Sequence, residues 1–216
     1  MSPLPSRRLV VTDRSLARQP LEHVVAQALQ GGARWIWYRD KDIPQAERRA
    51  LGERLVQLCS GAGAVLSVGG DAEAAITMGA SALHLPAGGD PQKARVILGP
   101  GALIGVSTHS IEEAAIAASL GADYVTLSPV YESASKPGYG PPLGVRALSA
   151  ARQLTVPVVA LGGVDPDRVE ECFSAGASGV AVMGAVMSAY CVRTAVGALL
   201  ARLTSLHPGA PLRTGA

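Results

Sequence analysis

Eight short apolar runs alternate with eight longer stretches of helical periodicity, and this alternation constrains the fold more than any other feature. The runs are LVVT (9–12), WIWY (35–38), AVLSV (64–68), ALHL (82–85), LIGVS (103–107), YVTLS (124–128), PVVAL (157–161) and GVAVM (179–183). The helical stretches cover 20–30, 44–59, 71–78, 91–98, 110–119, 143–154, 165–175 and 189–205. Strands that are apolar on both faces are typical of parallel sheets covered by helices. Eight strand–helix units in just over 200 residues fit a closed (β/α)8 barrel better than an open doubly wound sheet. We therefore predict a single TIM-barrel domain over 1–207 and a disordered tail over 208–216.

Composition and charge exclude several function classes. Hydrophobic residues make up 48% of the chain and charged residues 17%, which is enough apolar material for a large core. The 19 basic residues balance 17 acidic ones, and no basic run is present, so a nucleic-acid partner is not expected. The three cysteines show no metal-binding spacing. Without a signal peptide or a membrane span in the sequence, we expect a cytoplasmic protein with no membrane partner.

Two glycine-rich turns predict a phosphate site. In a barrel of this kind, the functional residues lie at the carboxyl ends of the strands. Gly162 and Gly163 follow the seventh predicted strand, and Met183 and Gly184 follow the eighth. Their backbone N–H groups could form an anion cradle where barrel enzymes often hold phosphate. The alternative is that these glycines only permit tight turns.

Cations follow the second and sixth predicted strands. Arg39 and Lys41 lie in the phrase YRDKD, where a substrate role and a solvated charge cluster are both open. Lys136 lies with Ser133 and Ser135 in a long Gly/Pro-containing segment over 131–143. Because loops in such folds are usually short, this segment is interpreted as a lid over an anionic substrate.

Two of the four histidines are placed by the predicted strands, one inside a strand and one just after a strand. His109 closes the fifth strand at the mouth, where an imidazole could take and return a proton. The alternative is a residue that only caps or packs the next helix. His84 lies inside an apolar run and is predicted to point into the barrel as a packed histidine.

From about Arg8 to Ala189 the chain resembles the thiamine phosphate synthase/TenI family of (β/α)8 barrels. The phrases that carry the resemblance are YRDKD, GASALHLP, IGVSTHSIEEA, GADYVTLSPVYESASKPGYGPPLG, PVVALGGV and AGASGVAVMGAV. The resemblance implies one of two reactions. The synthase branch joins a pyrimidine diphosphate to a thiazole phosphate and releases pyrophosphate with a bound magnesium. The tautomerase branch aromatises a thiazole carboxylate phosphate.

The resemblance also implies roles for individual residues. The synthase positions that bind the diphosphate correspond to Arg39, Lys41, Ser107, Ser133, Ser135 and Lys136. The synthase's Asn-Asp pair after the third strand corresponds to Gly69 and Gly70, and its second metal-binding Asp corresponds to Gly89. Asp71 and Asp90 stand nearby. Because magnesium needs carboxylate oxygens, these departures weaken a metal site.

The departures and His109 in STHS favour the tautomerase branch. We therefore predict a thiazole tautomerase, an isomerase, in which His109 is the catalytic acid and base. Its partner would be a small phosphorylated thiazole, and it would need no cofactor or metal. One alternative is a thiamine phosphate synthase, a transferase that would require Mg²⁺. Another is a non-catalytic regulator that binds thiamine precursors. A homo-oligomer also remains open.

Overall fold

The described residues, 4–40, 42–133 and 140–204 of a computed structural model, form a closed barrel of eight parallel strands. The strands are β1 (Arg8–Val11), β2 (Trp35–Tyr38), β3 (Val65–Gly69), β4 (Ala82–Leu85), β5 (Leu103–Thr108), β6 (Tyr124–Leu127), β7 (Val158–Ala160) and β8 (Gly179–Val182). They follow one another around the barrel in chain order, and pairing of Leu9 with Ala181 closes it. The predicted (β/α)8 barrel is confirmed. The predicted tail over 208–216 lies outside the described residues.

The helices follow the predicted alternation, with small differences at their ends. They are α1 (Leu21–Gln30), α2 (Gln45–Gly61), α3 (Ala72–Thr77), α4 (Pro91–Leu98), α5 (Ile111–Ser119), α6 (Gly144–Ala150), α7 (Val169–Ala175), α8 (Gly184–Met187) and α9 (Val192–Thr204). A one-turn 3₁₀ helix, Ala151–Gln153, continues α6. The sequence predicts one helix over 189–205 after β8. The helix α9 corresponds to that prediction, and the structure adds the short α8 directly after Met183.

The core has two layers. The larger layer lies between the strands and the helices, and the smaller fills the barrel interior. The interior cluster consists of Leu9, Val11, Trp35, Trp37, Tyr124, Val159 and Ala181. Gly105 on β5 leaves space for the ring of Tyr124, which its own Cβ would otherwise overlap. Large aromatic side chains against small facing residues thus fill the barrel and leave its mouth open.

Helix caps position the residues at the mouth. Ser110 caps α5 by accepting a hydrogen bond from the Glu113 N–H (3.1 Å). The Glu113 carboxylate accepts a hydrogen bond from the His109 N–H (2.8 Å). This reciprocal pair determines where β5 ends and α5 begins, and thereby holds His109 at the rim.

Candidate active site

A cavity of about 430 Å³ opens at the carboxyl ends of the strands, mainly on the side of β1, β2, β6, β7 and β8. Its walls combine apolar barrel residues, among them Val11, Trp37 and Leu161, with polar groups from the loops. The predicted site residues that line it are Arg39, Ser133, Gly162, Gly163, Met183 and Gly184. The fold therefore brings the predicted anion turns and one predicted cation to the same cavity.

The turn after β7 has backbone N–H groups available at the cavity, and hydrogen bonds to its carbonyl oxygens hold it in place. The Gly162 oxygen accepts a hydrogen bond from the Tyr131 N–H (3.0 Å), and the Gly163 oxygen accepts one from Arg168 Nη1 (2.6 Å). Within the described ranges, the N–H groups of Gly162 and Gly163 donate to no protein acceptor. Such unpaired amides at adjacent positions are suited to an anion.

Only glycine fits at both positions of this turn. Gly162 and Gly163 have φ values of +94° and +64°. A Cβ on Gly162 would lie 2.7 Å from Pro129 Cα, and one on Gly163 would collide with the Glu132 oxygen. Conformational freedom and close packing against the loop after β6 therefore both require glycine here.

The start of α8 adds further donors. The Met183 oxygen accepts the N–H groups of Val186 (3.0 Å) and Met187 (2.8 Å), which closes the first turn. The N–H groups of Gly184 and Ala185 precede that turn, and in the part of the chain that the structure describes they have no acceptor. Both residues line the cavity next to the turn after β7.

Arg39 lines the same cavity, immediately after β2. Its backbone N–H donates to Thr12 Oγ1 (3.0 Å), which ties the end of β2 to the end of β1. Its guanidinium lies 3.7 Å from Asp13 Oδ2, and the side chain is 24% exposed. This loose ion pair leaves the cation accessible at the rim.

His109 and Ser107 lie at the end of β5, outside the lining of this cavity. His109 Nδ1 is 2.8 Å from the Ser128 carbonyl oxygen; because that oxygen can only accept, Nδ1 carries the proton. The Ser107 hydroxyl is 3.0 Å from His84 Nε2. The imidazole of His109 is thus held in orientation by the loop after β6.

His84 points into the barrel, as predicted, and is buried. Its Nδ1 lies 2.9 Å from the Tyr124 hydroxyl, and its ring packs against Trp37 with centroids 3.8 Å apart and an interplanar angle of 39°. Burial disfavours the charged form and lowers the pKa of His84 to about 3. The imidazole is therefore neutral at physiological pH.

Three predicted substrate-binding residues, Lys41, Ser135 and Lys136, fall outside the described ranges. The predicted lid over 131–143 is described only at its two ends, where Ser133 lines the cavity. The roles of these residues remain predictions.

The sequence interpretation missed Arg168 and Trp37, both of which line the cavity. Arg168 supports the glycine turn through the Gly163 oxygen and lies 4.6 Å from the Tyr131 ring centroid. Strand alternation could have identified Trp37, because it shares a face of the extended chain with Arg39 two residues later. Arg168 is the residue before α7, and no local signal distinguishes it from the other arginines of the chain.

The residues at the rim of β3 and β4 do not fit a magnesium site. A Cβ on Gly69 would lie 2.7 Å from Trp37 Nε1, and one on Gly89 would lie 2.7 Å from Leu85 Cβ. Gly70 has a φ of +123°, a conformation that an aspartate adopts only with strain. All three positions at which the resemblance places metal-binding side chains therefore disfavour any side chain.

The neighbouring carboxylates are engaged as helix caps. Asp71 accepts a hydrogen bond from the Ala74 N–H (2.7 Å) at the start of α3. Asp90 accepts one from the Lys93 N–H (3.0 Å) at the start of α4, and this bond lowers the pKa of Asp90. Within the described ranges, no group of three or more His, Cys, Asp and Glu side chains is arranged to hold a metal ion. No helix in the same ranges is long and apolar enough to cross a bilayer.

Comparisons with known proteins identify relatives over nearly the whole chain. The profile of a family described as "Thiamine monophosphate synthase" matches residues 9–186. A putative thiamine-phosphate synthase of Geobacter sulfurreducens is 39% identical over 197 residues, covering 90% of this chain and 92% of that protein. A thiamine-phosphate synthase of Roseiflexus sp. is 37% identical, covering 91% of this chain and 84% of that one. The structure of thiamine phosphate pyrophosphorylase from Pyrococcus furiosus superposes with a TM-score of 0.82 at 32% identity, covering 92% of this chain and 96% of that one.

These relatives correct the predicted activity. They are named synthases or pyrophosphorylases, so the prediction of a thiazole tautomerase, an isomerase, is wrong. The names favour the alternative, a transferase. The glycines at the metal-binding positions and His109 are local departures, whereas the similarity to synthases extends over nearly the whole chain.

Proposed function

The chain belongs to the thiamine monophosphate synthase family, and from that premise we propose that it is a thiamine-phosphate synthase. It would join a pyrimidine diphosphate to a thiazole phosphate and release pyrophosphate. The reaction needs two anion-binding regions facing one cavity, because each substrate carries phosphate. The observation that carries the proposal is that backbone amides after β7 and β8, which have no acceptor among the described residues, line the same cavity as Arg39.

The amide groups of Gly162, Gly163 and Gly184 are proposed to bind the single phosphate of the thiazole. Backbone N–H groups hold a phosphate without a counter-charge that would compete for the diphosphate. Arg168 would keep the turn in its binding conformation through the Gly163 oxygen. Met183 would contribute to the cradle as the residue that begins α8, since its carbonyl oxygen closes the first turn of that helix.

The diphosphate is proposed to bind at Arg39 and Ser133, which line the cavity, together with Lys41, Ser135 and Lys136. Ser107 lies outside this lining and its hydroxyl contacts His84, so no contact with the diphosphate is proposed for it. Arginine suits this role because its planar N–H groups can contact two phosphate oxygens at once. The apolar wall near Trp37 would accept a flat heterocycle between the two anion regions.

The bond change requires no general base. The thiazole nitrogen supplies an electron pair to the carbon that carries the diphosphate, the carbon–oxygen bond breaks, and pyrophosphate leaves with that bond's electrons. The nitrogen has no proton to lose, since the product is a thiazolium. The proton-transfer role predicted for His109 belonged to the isomerisation and is not carried over. We propose instead that His109 positions the loop after β6 by donating to Ser128.

Positioning and charge neutralisation are therefore the main contributions expected of this protein. The resemblance implies a magnesium ion for this chemistry, but the residues at β3 and β4 do not fit one. The proposed steps assign charge neutralisation to side chains of the protein.

Product formation tests the proposal directly. The purified protein is incubated with the pyrimidine diphosphate and thiazole phosphate, with and without magnesium, and thiamine phosphate is quantified by chromatography. A known synthase is the positive control for the substrates. We expect thiamine phosphate and pyrophosphate in equal amounts. A folded protein that binds thiazole phosphate but forms no product would instead support the non-catalytic regulator.

A further inference from the structure

Arg48 places a guanidinium at the rim between β2 and β3. Its Nε donates to the Asp40 carbonyl oxygen (2.7 Å), and its Nη2 donates to the Gly69 carbonyl oxygen. The Arg48 carbonyl in turn accepts a hydrogen bond from the Tyr38 hydroxyl (3.1 Å). The half-buried side chain is thus held by the carboxyl ends of two adjacent strands.

This guanidinium has no carboxylate partner within the described ranges, unlike its neighbours. Arg14 pairs with Asp40 at 3.2 Å, and Arg39 lies 3.7 Å from Asp13. An arginine has five N–H groups, and the two carbonyls engage only part of this set. Carbonyl oxygens orient the guanidinium without neutralising it. The remaining N–H groups and the full positive charge are suited to an anion.

Arg48 lies beside Gly70, one of the positions at which the resemblance places a metal-binding side chain. A Cβ on Gly70 would lie 3.4 Å from Arg48 Nη2. Gly70 is where the resemblance places a metal-binding aspartate, so the cation stands beside the point from which that carboxylate would extend. The structure thus has a fixed positive group at the rim where a metal ion would supply positive charge.

We propose that Arg48 binds the diphosphate of the pyrimidine substrate and stabilises the departing pyrophosphate in place of a metal ion held by β3 and β4. This inference rests on the proposed synthase function. Arg39 follows β2 and Arg48 contacts the carbonyl oxygen of the next residue, Asp40, so both arginines are at the same end of β2. Because the Arg48 guanidinium is already oriented by backbone carbonyls, little side-chain freedom is lost when the anion binds.

Pyrophosphate binding in the presence of EDTA tests the role of Arg48 without requiring turnover. The variant Arg48→Gln removes the charge, and Arg48→Lys retains the charge but loses the planar set of donors. Arg49→Gln is the matched control, because Arg49 is exposed and pairs with Glu53 (2.7 Å) on the outer face of α2. Isothermal titration calorimetry gives the Kd for pyrophosphate, and thiazole phosphate is titrated in parallel.

We expect Arg48→Gln to weaken pyrophosphate binding by about 10- to 100-fold, the range for losing a charge-assisted hydrogen bond. Arg48→Lys should fall in between, and Arg49→Gln should stay within about twofold of the parent. Thiazole phosphate affinity should be unchanged in every variant. If Arg48→Gln does not fold, Arg48→Lys provides the comparison.

Three results would overturn the inference. The first is pyrophosphate affinity that is unchanged in both Arg48 variants, and the second is pyrophosphate binding that requires magnesium in the parent protein. The third is an equal loss of affinity for pyrophosphate and thiazole phosphate, which would indicate a structural role only. Failure of the synthase proposal is distinguishable, because it would appear as absent product while the pyrophosphate results stand.

Discussion

The variant Gly163→Ala tests the proposed phosphate cradle most directly. At a φ of +64°, alanine carries a conformational strain of about 1–2 kcal/mol. Its Cβ would also collide with the Glu132 carbonyl oxygen, and the backbone shift that relieves such overpacking costs about 1–3 kcal/mol more. The sum of about 2–5 kcal/mol corresponds to a Tm decrease of roughly 4–20 °C for a chain of this size. The same shift moves the N–H groups, and losing one amide–phosphate bond should raise the KM for thiazole phosphate about 10- to 150-fold.

Gly63→Ala provides the matched control. Gly63 has nearly the same φ, +61°, but a Cβ there meets nothing within 4 Å, and the residue precedes β3 at the opposite end of the barrel. Its Tm should fall by only the strain, roughly 2–8 °C, with no change in KM. The assay is steady-state formation of thiamine phosphate with thiazole phosphate varied, alongside a melting curve for each variant. A folded Gly163→Ala protein with the parental KM for thiazole phosphate would refute the cradle.

Three further predictions concern stability and binding. The pKa of His84 is near 6.5 in the unfolded chain and about 3 in the fold, so the stabilising contribution of the neutral imidazole is fully present above pH 6.5 and is lost as the pH falls towards 3. The free energy of unfolding should therefore drop by about 2 kcal/mol between pH 7 and 5. Urea titrations at each pH measure this drop, and the variant His84→Gln should lack that part of it. Arg168→Gln should raise the KM for thiazole phosphate by about tenfold while kcat changes less, because the lost hydrogen bond to the Gly163 oxygen holds the turn that binds the phosphate. An unchanged KM would contradict this role. Magnesium alone should leave the Tm unchanged. A magnesium site with a Kd of about 50 μM would raise the free energy of unfolding by about 2.7 kcal/mol at about 5 mM magnesium. A clear rise in Tm would therefore show that the protein binds the ion itself.

The barrel could be predicted from the chain, as could the position of the candidate site at one end of it, because their signals are local. Apolar runs such as ALHL and PVVAL, each followed by a turn and a helical stretch, predict a strand–helix unit. Repeating such a unit eight times leaves few topologies, and parallel connections place all carboxyl ends on one rim. The same local argument correctly placed His84 inside the barrel and Gly162, Gly163, Met183 and Gly184 around the cavity.

The tertiary structure decided which groups at that rim can act together. Arg48 is oriented by the carbonyls of Asp40 and Gly69, the latter 21 positions away, and Arg168 supports a turn packed against the loop after β6. The absence of acids at Gly69 and Gly89 is visible in the sequence, but their steric exclusion by Trp37 and Leu85 is not. The physical reason is that periodicity depends on neighbours along one strand or helix. Contacts across the barrel depend instead on register, side-chain direction and the volume left by residues far apart in the chain.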